Sequence, residues 1–473
     1  MRMYFMQAMR RRVAGYRARA WALLLAALLS PGCTLERASV DPGLAPPAQW
    51  RYPATDPRQQ RDVDAHWWRR FGSAELDALI ARAETGSLDL QAAVARVAQA
   101  RALARVAGAA LSPELEIGLD ASRERRLGGD VGVDGDFFSL GFRARYELDF
   151  WGRNVALRDA TRAEWQASRF DLATVRLTLT ASVASNWLQV VGLRQRLSIA
   201  RLNLDNAERV LATVESRYRA GAAFALELAQ QRGLVAEQRR EAAALRAQVA
   251  DAEVALAALL GIPVQQLSIR AGSLAGLDWP TIDAGLPAEL LLRRPDLAQA
   301  EARLAAANAN IVAARAALLP SIDLGAGLGF AGERVSQLFD STLYNLAGAA
   351  VAPIFNGGRL RAERDLAEAQ RLEQLAYFRQ SIVAAFADVE TSLSAISGLE
   401  AQMAAQDERL RQAREAFELA QVRYRAGSET LLTLLDAQRA LYAAQDQQVQ
   451  LRQARLQASV VLYRALGGGW SPS

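Results

Sequence analysis

The sequence predicts a mostly α-helical fold with membrane β-strands, in an internally duplicated chain. Three observations predict it. Shifting the sequence against itself by about 206 residues brings matching residues into coincidence along its whole length. In each copy a short region alternates apolar and polar side chains with period two. After each such region, residues 154–220 and 360–426 hold no Pro and a single Gly each. At 1.5 Å per residue, each of these stretches would make a helix about 100 Å long.

Residues 1–32 read as a processing segment. A basic region from Arg10 to Arg19 precedes an apolar run from Trp21 to Leu29, then Ser30, Pro31, Gly32 and Cys33. A charged start, a short apolar core and small residues before a cut site are the features of a secretory signal peptide. The run is too short to remain as a membrane-spanning helix, which takes about 20 residues. Cys33 is the sole cysteine of the 473 residues, so no intrachain disulfide or thiolate metal cluster can form. A Cys directly after Gly at the end of a leader resembles the bacterial lipoprotein signal. That implies a diacylglycerol on the Cys33 thiol and an acylated new amino terminus, with about 0.8 kcal/mol of anchoring per buried CH2. Leu29 stands four residues before the Cys where lipoproteins carry a Leu at three, and the alternative is a Cys beside an ordinary cleavage site. Thr34 follows, not Asp, which resembles the pattern sent to the outer membrane.

The composition excludes several classes. With 51% hydrophobic and 23% charged residues the chain can bury a core. Every basic residue is Arg. Residues 1–32 hold six of them and no acid, so the formal net charge of +5 becomes −1 once the leader is set aside. That leaves no basic footprint for a nucleic-acid partner. The single His, His66, rules out a multi-His metal site or a His-centred triad with any second His. Gly128-Gly129 and Gly357-Gly358 lack a Lys-Ser/Thr partner and read as turns. No enzyme, cofactor or metal site is expected, and five Met make no soft-metal relay.

After Cys33 comes an N-terminal segment, 33–86, Pro-rich and lipid-anchored at its start and a cap at its end. Repeat 1 then spans 87–262 and repeat 2 spans 296–467, with an inter-repeat segment at 263–295 and a tail at 468–473. Each repeat opens with an Ala- and Arg-rich helix, about 87–111 and 296–319. Each continues into a β-hairpin, 115–150 and 321–354. In 138–150, Phe138, Leu140, Phe142, Ala144, Tyr146, Leu148 and Phe150 face one way, while Ser139, Gly141, Arg143, Arg145, Glu147 and Asp149 face the other. Leu115, Ile117, Leu119 and Ala121 alternate likewise, as do Ile322, Leu324, Ala326, Leu328 and Phe330. The fourth candidate strand, 343–354, alternates weakly. Strands near ten residues, apolar on one face and polar or Gly on the other, suit a membrane barrel with a wet lumen; the alternative is a half-buried soluble hairpin. Each repeat closes with a helical hairpin, 153–261 and 359–467, that reverses at Gly221 or Gly427 inside an identical Arg-Tyr-Arg-Ala-Gly pentapeptide. Apolar residues at three- and four-residue spacing, such as Leu431, Leu434, Leu435 and Leu441, point to coiled-coil-like packing.

Four strands cannot close a barrel, since the smallest membrane barrels have eight. Open strand edges are forbidden in lipid, so several identical chains must combine. Two chains give eight strands and a filled interior, whereas three give twelve and a possible lumen. The arithmetic allows either; a channel prefers three.

The sequence resembles the TolC-type outer-membrane efflux factors, in the OprM/NodT-like lipoprotein branch, over essentially the whole chain after the leader. The resemblance is carried by Cys33 and the Pro-rich segment to Pro57, Trp67-Trp68 with Phe71, and the helix-to-strand junctions at Pro113 and Pro320. It is carried also by Phe150-Trp151-Gly152-Arg153 and its counterpart Phe355 to Arg359, by both pentapeptides, and by Leu434-Leu435-Asp436-Ala437-Gln438. It implies a homotrimer with a 12-stranded outer-membrane β-barrel and a periplasmic α-barrel of long antiparallel helices. It also implies the exit duct of a tripartite pump that passes drugs or other small molecules. Its partners would be outer-membrane lipid, a periplasmic adaptor and a proton-driven inner-membrane transporter. The helical turns would form the periplasmic tip, placing Arg217, Tyr218, Gly221, Arg423, Tyr424 and Gly427 where the adaptor docks. Glu418 and Gln421 would lie in the gate region one turn earlier. Two rival readings remain at this stage: the duct of a type I protein secretion system, and a non-channel coiled-coil lipoprotein.

Overall fold

The computed structural model describes residues 43–52, 64–124, 135–280 and 282–471. The leader 1–32 and the expected lipidation site Cys33 lie outside them. Twelve regular elements follow in order: α1 (Ala74–Gly86), α2 (Leu88–Ala109), β1 (Glu114–Glu124), β2 (Gly135–Glu147), α3 (Arg153–Arg219), α4 (Ala225–Leu259), α5 (Pro287–Arg293), α6 (Pro295–Ala316), β3 (Ser321–Gly332), β4 (Thr342–Val351), α7 (Arg359–Arg425) and α8 (Leu431–Ala465). Short 3-10 turns lie at Trp67–Phe71, Val264–Gln266 and Val335–Gln337.

The duplication is visible in element lengths. Helices α3 and α7 are both 67 residues long, α4 and α8 both 35, and α2 and α6 both 22. Helices this long persist because nothing in them breaks the backbone ladder, and because their apolar stripes find partners. In α7 the buried positions Ile382, Ala385, Val389 and Leu393 recur at three- and four-residue spacing. By length and composition alone, α7 also has a stretch apolar enough to cross a membrane. That buried stripe, packed into a helical core, marks it instead as a bundle helix.

The chain forms two compact units, each drawing on both repeats. Among the described residues the first comprises 103–162 and 305–372, and the second the remainder. The first contains the sheet, with strand order β1-β2-β3-β4 and every pair antiparallel. Strand β2 ends at Glu147, three residues before the alternation does. Asp149 is diverted to the start of α3, where its carboxylate accepts the backbone N–H groups of Asn154 (2.9 Å) and Val155 (2.7 Å). The weakly alternating fourth strand occupies Thr342–Val351.

The second unit has its core around Trp67, which is fully buried. Its ring stacks on Tyr463 of α8 with centroids 4.9 Å apart and meets Trp68 and Phe71 edge-on. Glu75 of α1 ties three segments together: it accepts Trp187 Nε1 of α3 (3.0 Å) and the backbone N–H groups of Arg270 (2.6 Å) and Ala271 (3.2 Å). The inter-repeat segment is thereby held against the N-terminal segment and the first repeat. Arg294 fastens its far end, donating to Asp296 (2.7 Å), Asp388 (3.0 Å) and the carbonyl of Ala465 (3.3 Å). Burial works against its charge, but the two carboxylates outweigh that and hold its pKa above the ordinary guanidinium value.

Removing the Trp67 ring empties the centre of this core. We predict that Trp67→Ala lowers stability by about 3–5 kcal/mol, read as a lower denaturant midpoint for loss of helical circular dichroism. A midpoint unchanged from the parent would contradict this placement of the core.

Candidate functional site

Strand register turns the sequence alternation into two faces. Ile117, Phe142, Leu328 and Tyr344 align across all four strands, as do Leu115, Ala144, Ala326 and Leu346. One face is therefore apolar from edge to edge, and it lies open: Tyr344 is 81% exposed and Leu346 80%. A soluble protein rarely leaves such a patch uncovered. The opposite face carries Glu116, Asp120, Arg143, Arg145, Glu147, Asp323 and Asn345, interleaved with Gly and Ala. Some of its charges are paired: Arg143 with Asp120, and Glu147 with Arg153 at 2.6 Å. Among the described residues, strands β1 and β4 each pair on one side only.

Glycine shapes the polar face. Gly118, Gly141 and Gly329 form one cross-strand row. A Cβ on Gly329 would stand 2.6 Å from the Gly141 Cα and 2.5 Å from the Leu140 carbonyl oxygen. The backbones approach there as only glycine permits, which lets the sheet curl toward its polar side.

The helical turns of the second unit form the other feature. Gly221 and Gly427 sit at φ of 72° and 75°, where a side chain is strained. The backbone N–H of Ala222 donates to Arg217 O (2.8 Å), and that of Ser428 to Arg423 O (2.9 Å), closing both helix ends alike. The N-terminus of α8 is capped by Thr430, whose Oγ1 accepts from Thr433 N (3.3 Å). Glu429 accepts the Thr430 backbone N–H (3.1 Å) and the Thr433 hydroxyl (3.0 Å), and these bonds hold its carboxyl below the ordinary pKa. The α4 turn uses Glu227 instead, accepting from Phe224 N at 2.9 Å.

The structure brings together some of the predicted tip residues. The Arg217 guanidinium lies 4.7 Å over the Tyr424 ring, and its Nη1 donates to the Tyr424 carbonyl at 3.2 Å. Tyr424 is buried, with its hydroxyl unpartnered. Gln421 lines a cavity of about 130 Å³ with Asn206, Arg209, Thr213, Tyr424 and Arg425. Tyr218, Arg423 and Glu418 stay exposed at the surface. Beneath the turns, burial pushes the Tyr442 hydroxyl up to about 12, although Gln438 donates to it at 3.3 Å.

Three features escaped the sequence reading. Phe224, 79% exposed, and the exposed Leu226 and Leu432 make the turns apolar as well as basic. Arg209, on the cavity rim, lies two turns before the pentapeptide, and only folding brings it there. Thr430 and Glu429 did carry a signal, since a Thr just before an apolar run is a helix-start signature.

Comparison with known proteins follows the same outline. The family model described as outer membrane efflux protein matches residues 79–262 and again 286–468, once per repeat. The chain is similar to the pyoverdine export outer membrane protein OpmQ of Pseudomonas putida, 52% identical over 90% of this chain and 93% of that one. OpmQ of Pseudomonas aeruginosa is 51% identical over 95% of this chain and 96% of its own. The solved structure of the outer-membrane channel OprN superposes with a TM-score of 0.86 at 28% identity, covering 93% of this chain and 100% of that one.

We predict that Gly221→Val with Gly427→Val costs roughly 1–3 kcal/mol at each turn. Hydrogen exchange at the Ala222 and Ser428 amides should then speed up on the order of ten-fold or more. Unchanged exchange would mean that the turns do not depend on glycine.

Proposed function

The chain belongs to the outer membrane efflux protein family, and from that premise we propose that it exports a pyoverdine-class molecule across the outer membrane. It is an outer-membrane efflux channel subunit, and channels of this family are trimers working with an adaptor and an inner-membrane transporter. The observation that carries the channel reading is the two-faced sheet with both edges unpaired. Lipid covers the apolar face, cargo and water pass along the polar one, and neighbouring chains complete the wall. The coiled-coil lipoprotein rival gave no role to that sheet.

The cargo reading rests on the identities of 52% and 51%, over at least nine-tenths of this chain, to proteins named for pyoverdine export. In this reading a proton-driven inner-membrane transporter supplies the energy and the selection, and the duct does no chemistry. Its adaptor docks on the helical turns. Phe224, Leu226 and Leu432 offer apolar contact there, around the fixed reversals at Gly221 and Gly427. Cys33 carries the lipid that holds the amino terminus at the inner leaflet of the outer membrane.

Expression in a pyoverdine producer lacking its own outer-membrane exporter tests the cargo. The chain should restore pyoverdine in the medium, and the Gly221→Val, Gly427→Val double variant should fail to while still running as a trimer on an unheated gel. Medium left without pyoverdine by the parent chain would refute the cargo; full export by the double variant would refute the tip as docking site. For the anchor, Cys33→Ser is expected to take up no labelled palmitate. Label in that variant would place the lipid elsewhere.

A further inference from the structure

The long helix of each repeat ends in the same pentapeptide, yet only one of two equivalent Arg–Tyr contacts forms within the chain. Arg217 of repeat 1 lies on Tyr424 of repeat 2, and Tyr424 is 3% exposed. The residues in the mirror roles, Arg423 and Tyr218, do not meet. Arg423 is at the surface and Tyr218 is 44% exposed. The contact has a direction: the long helix of the first repeat reaches forward to the long helix of the second. Forward of α7 no third repeat stands among the described residues. In a closed ring of three chains, the element in that place is α3 of the next copy.

We propose that Arg423 of each chain clasps Tyr218 of the partner subunit as Arg217 clasps Tyr424 within one. Three internal and three intersubunit clasps would then ring the trimer tip. The inference rests on the trimeric reading above and adds the residues that join one copy to the next.

A second observation supports the same occupant. The internal junction is bordered by Arg209, Val210 and Thr213 on α3, by Gln421, Tyr424 and Arg425 on α7, and by Leu434 on α8. Two cations flank it, and the cavity between them stays open. Moving each position along by one repeat gives the surface that a neighbouring copy would meet. Arg209 becomes Glu415, and Arg425 becomes Arg219 on the other side. The like pair turns into an opposite pair. Glu415 is exposed and makes no ion pair among the described residues, and the Arg219 guanidinium bonds only to the Glu215 carbonyl of its own helix (3.3 Å). Thr213 becomes Leu419 and Ser216 becomes Val422, which are 57% and 65% exposed. α7 thus presents two bare aliphatic side chains, Leu419 and Val422, beside an acid with no ion pair among the described residues. That composition suits a covered interface better than a wet surface, and its charge complements α3 of a second copy.

The test is crosslinking in the intact protein in outer membranes. Tyr218→Cys with Arg423→Cys, treated with a short bis-maleimide, should move from monomer to covalent dimer and trimer on a denaturing gel. Each single variant, with Cys33 present, should stay monomeric. Arg217→Cys with Tyr424→Cys should crosslink only within a chain and also stay at monomer mobility. Monomer alone from the Tyr218/Arg423 pair, with trimer intact on an unheated gel, overturns the clasp and leaves the trimer standing. A parent chain that shows no trimer removes both. Should the cysteine pair itself disrupt assembly, a benzophenone amino acid in place of Tyr218 leaves Arg423 native. Its photoproduct should join two chains through the peptide that contains Arg423, and attachment only within its own chain overturns the proposal.

Discussion

Unpaired backbone groups have no place in lipid. Each N–H or C=O left bare in the hydrocarbon costs several kcal/mol, and that constraint governs how this molecule is built. The sheet has four strands and two open edges, β1 and β4, each hydrogen-bonded on one side only. Its apolar face cannot remain in water and its edges cannot remain in lipid. Joining β4 of one copy to β1 of another satisfies both demands at once. The faces also restrict how that joint can be made. Tyr344 and Leu346 share their side of the sheet with Ile117 and Leu115, so even-numbered residues of β4 must lie beside odd-numbered residues of β1. A slip of one residue would turn charged side chains toward lipid.

The helices answer to a different solvent and use duplication differently. Two copies of one unit keep the same lengths, 67 and 35 residues, and the same glycine reversal. Their surfaces have diverged where their neighbours differ. Arg217 and Tyr424 meet within the chain, while Arg423 and Tyr218 stay exposed. Each long helix begins among residues of the strand-bearing unit and continues unbroken to its glycine reversal.

Much of this was legible in the sequence, for identifiable reasons. The repeat offset, the period of two in β2 and β3, and the Pro-free runs are long signals that tertiary contacts do not override. Strand β4 was faint because Leu343, Ala347 and Ala349 make its lumen-side positions nearly as apolar as the others. The end of β2 was misplaced because Leu148 and Phe150 continue the alternation, while Asp149 between them is claimed by the cap of α3. At the turns, glycine announced the reversal. An identical pentapeptide in both copies could not announce which Arg meets which Tyr, because neighbouring helices decide that. Phe224 and Arg209 became notable only when folding exposed one and brought the other to a cavity rim.

The central claim is that one face of this sheet meets lipid and the other meets water. Spin labels on successive cysteines from Leu343 to Ala350, in the trimer reconstituted in bilayers and with the parent chain's background subtracted, read it directly. Positions 344, 346, 348 and 350 should be relaxed by oxygen dissolved in the lipid. Positions 343, 345, 347 and 349 should be relaxed by a water-soluble nickel chelate, so that the two profiles alternate out of phase. A pair of flat profiles, or labels on both faces relaxed by the chelate alone, would contradict the channel wall described here.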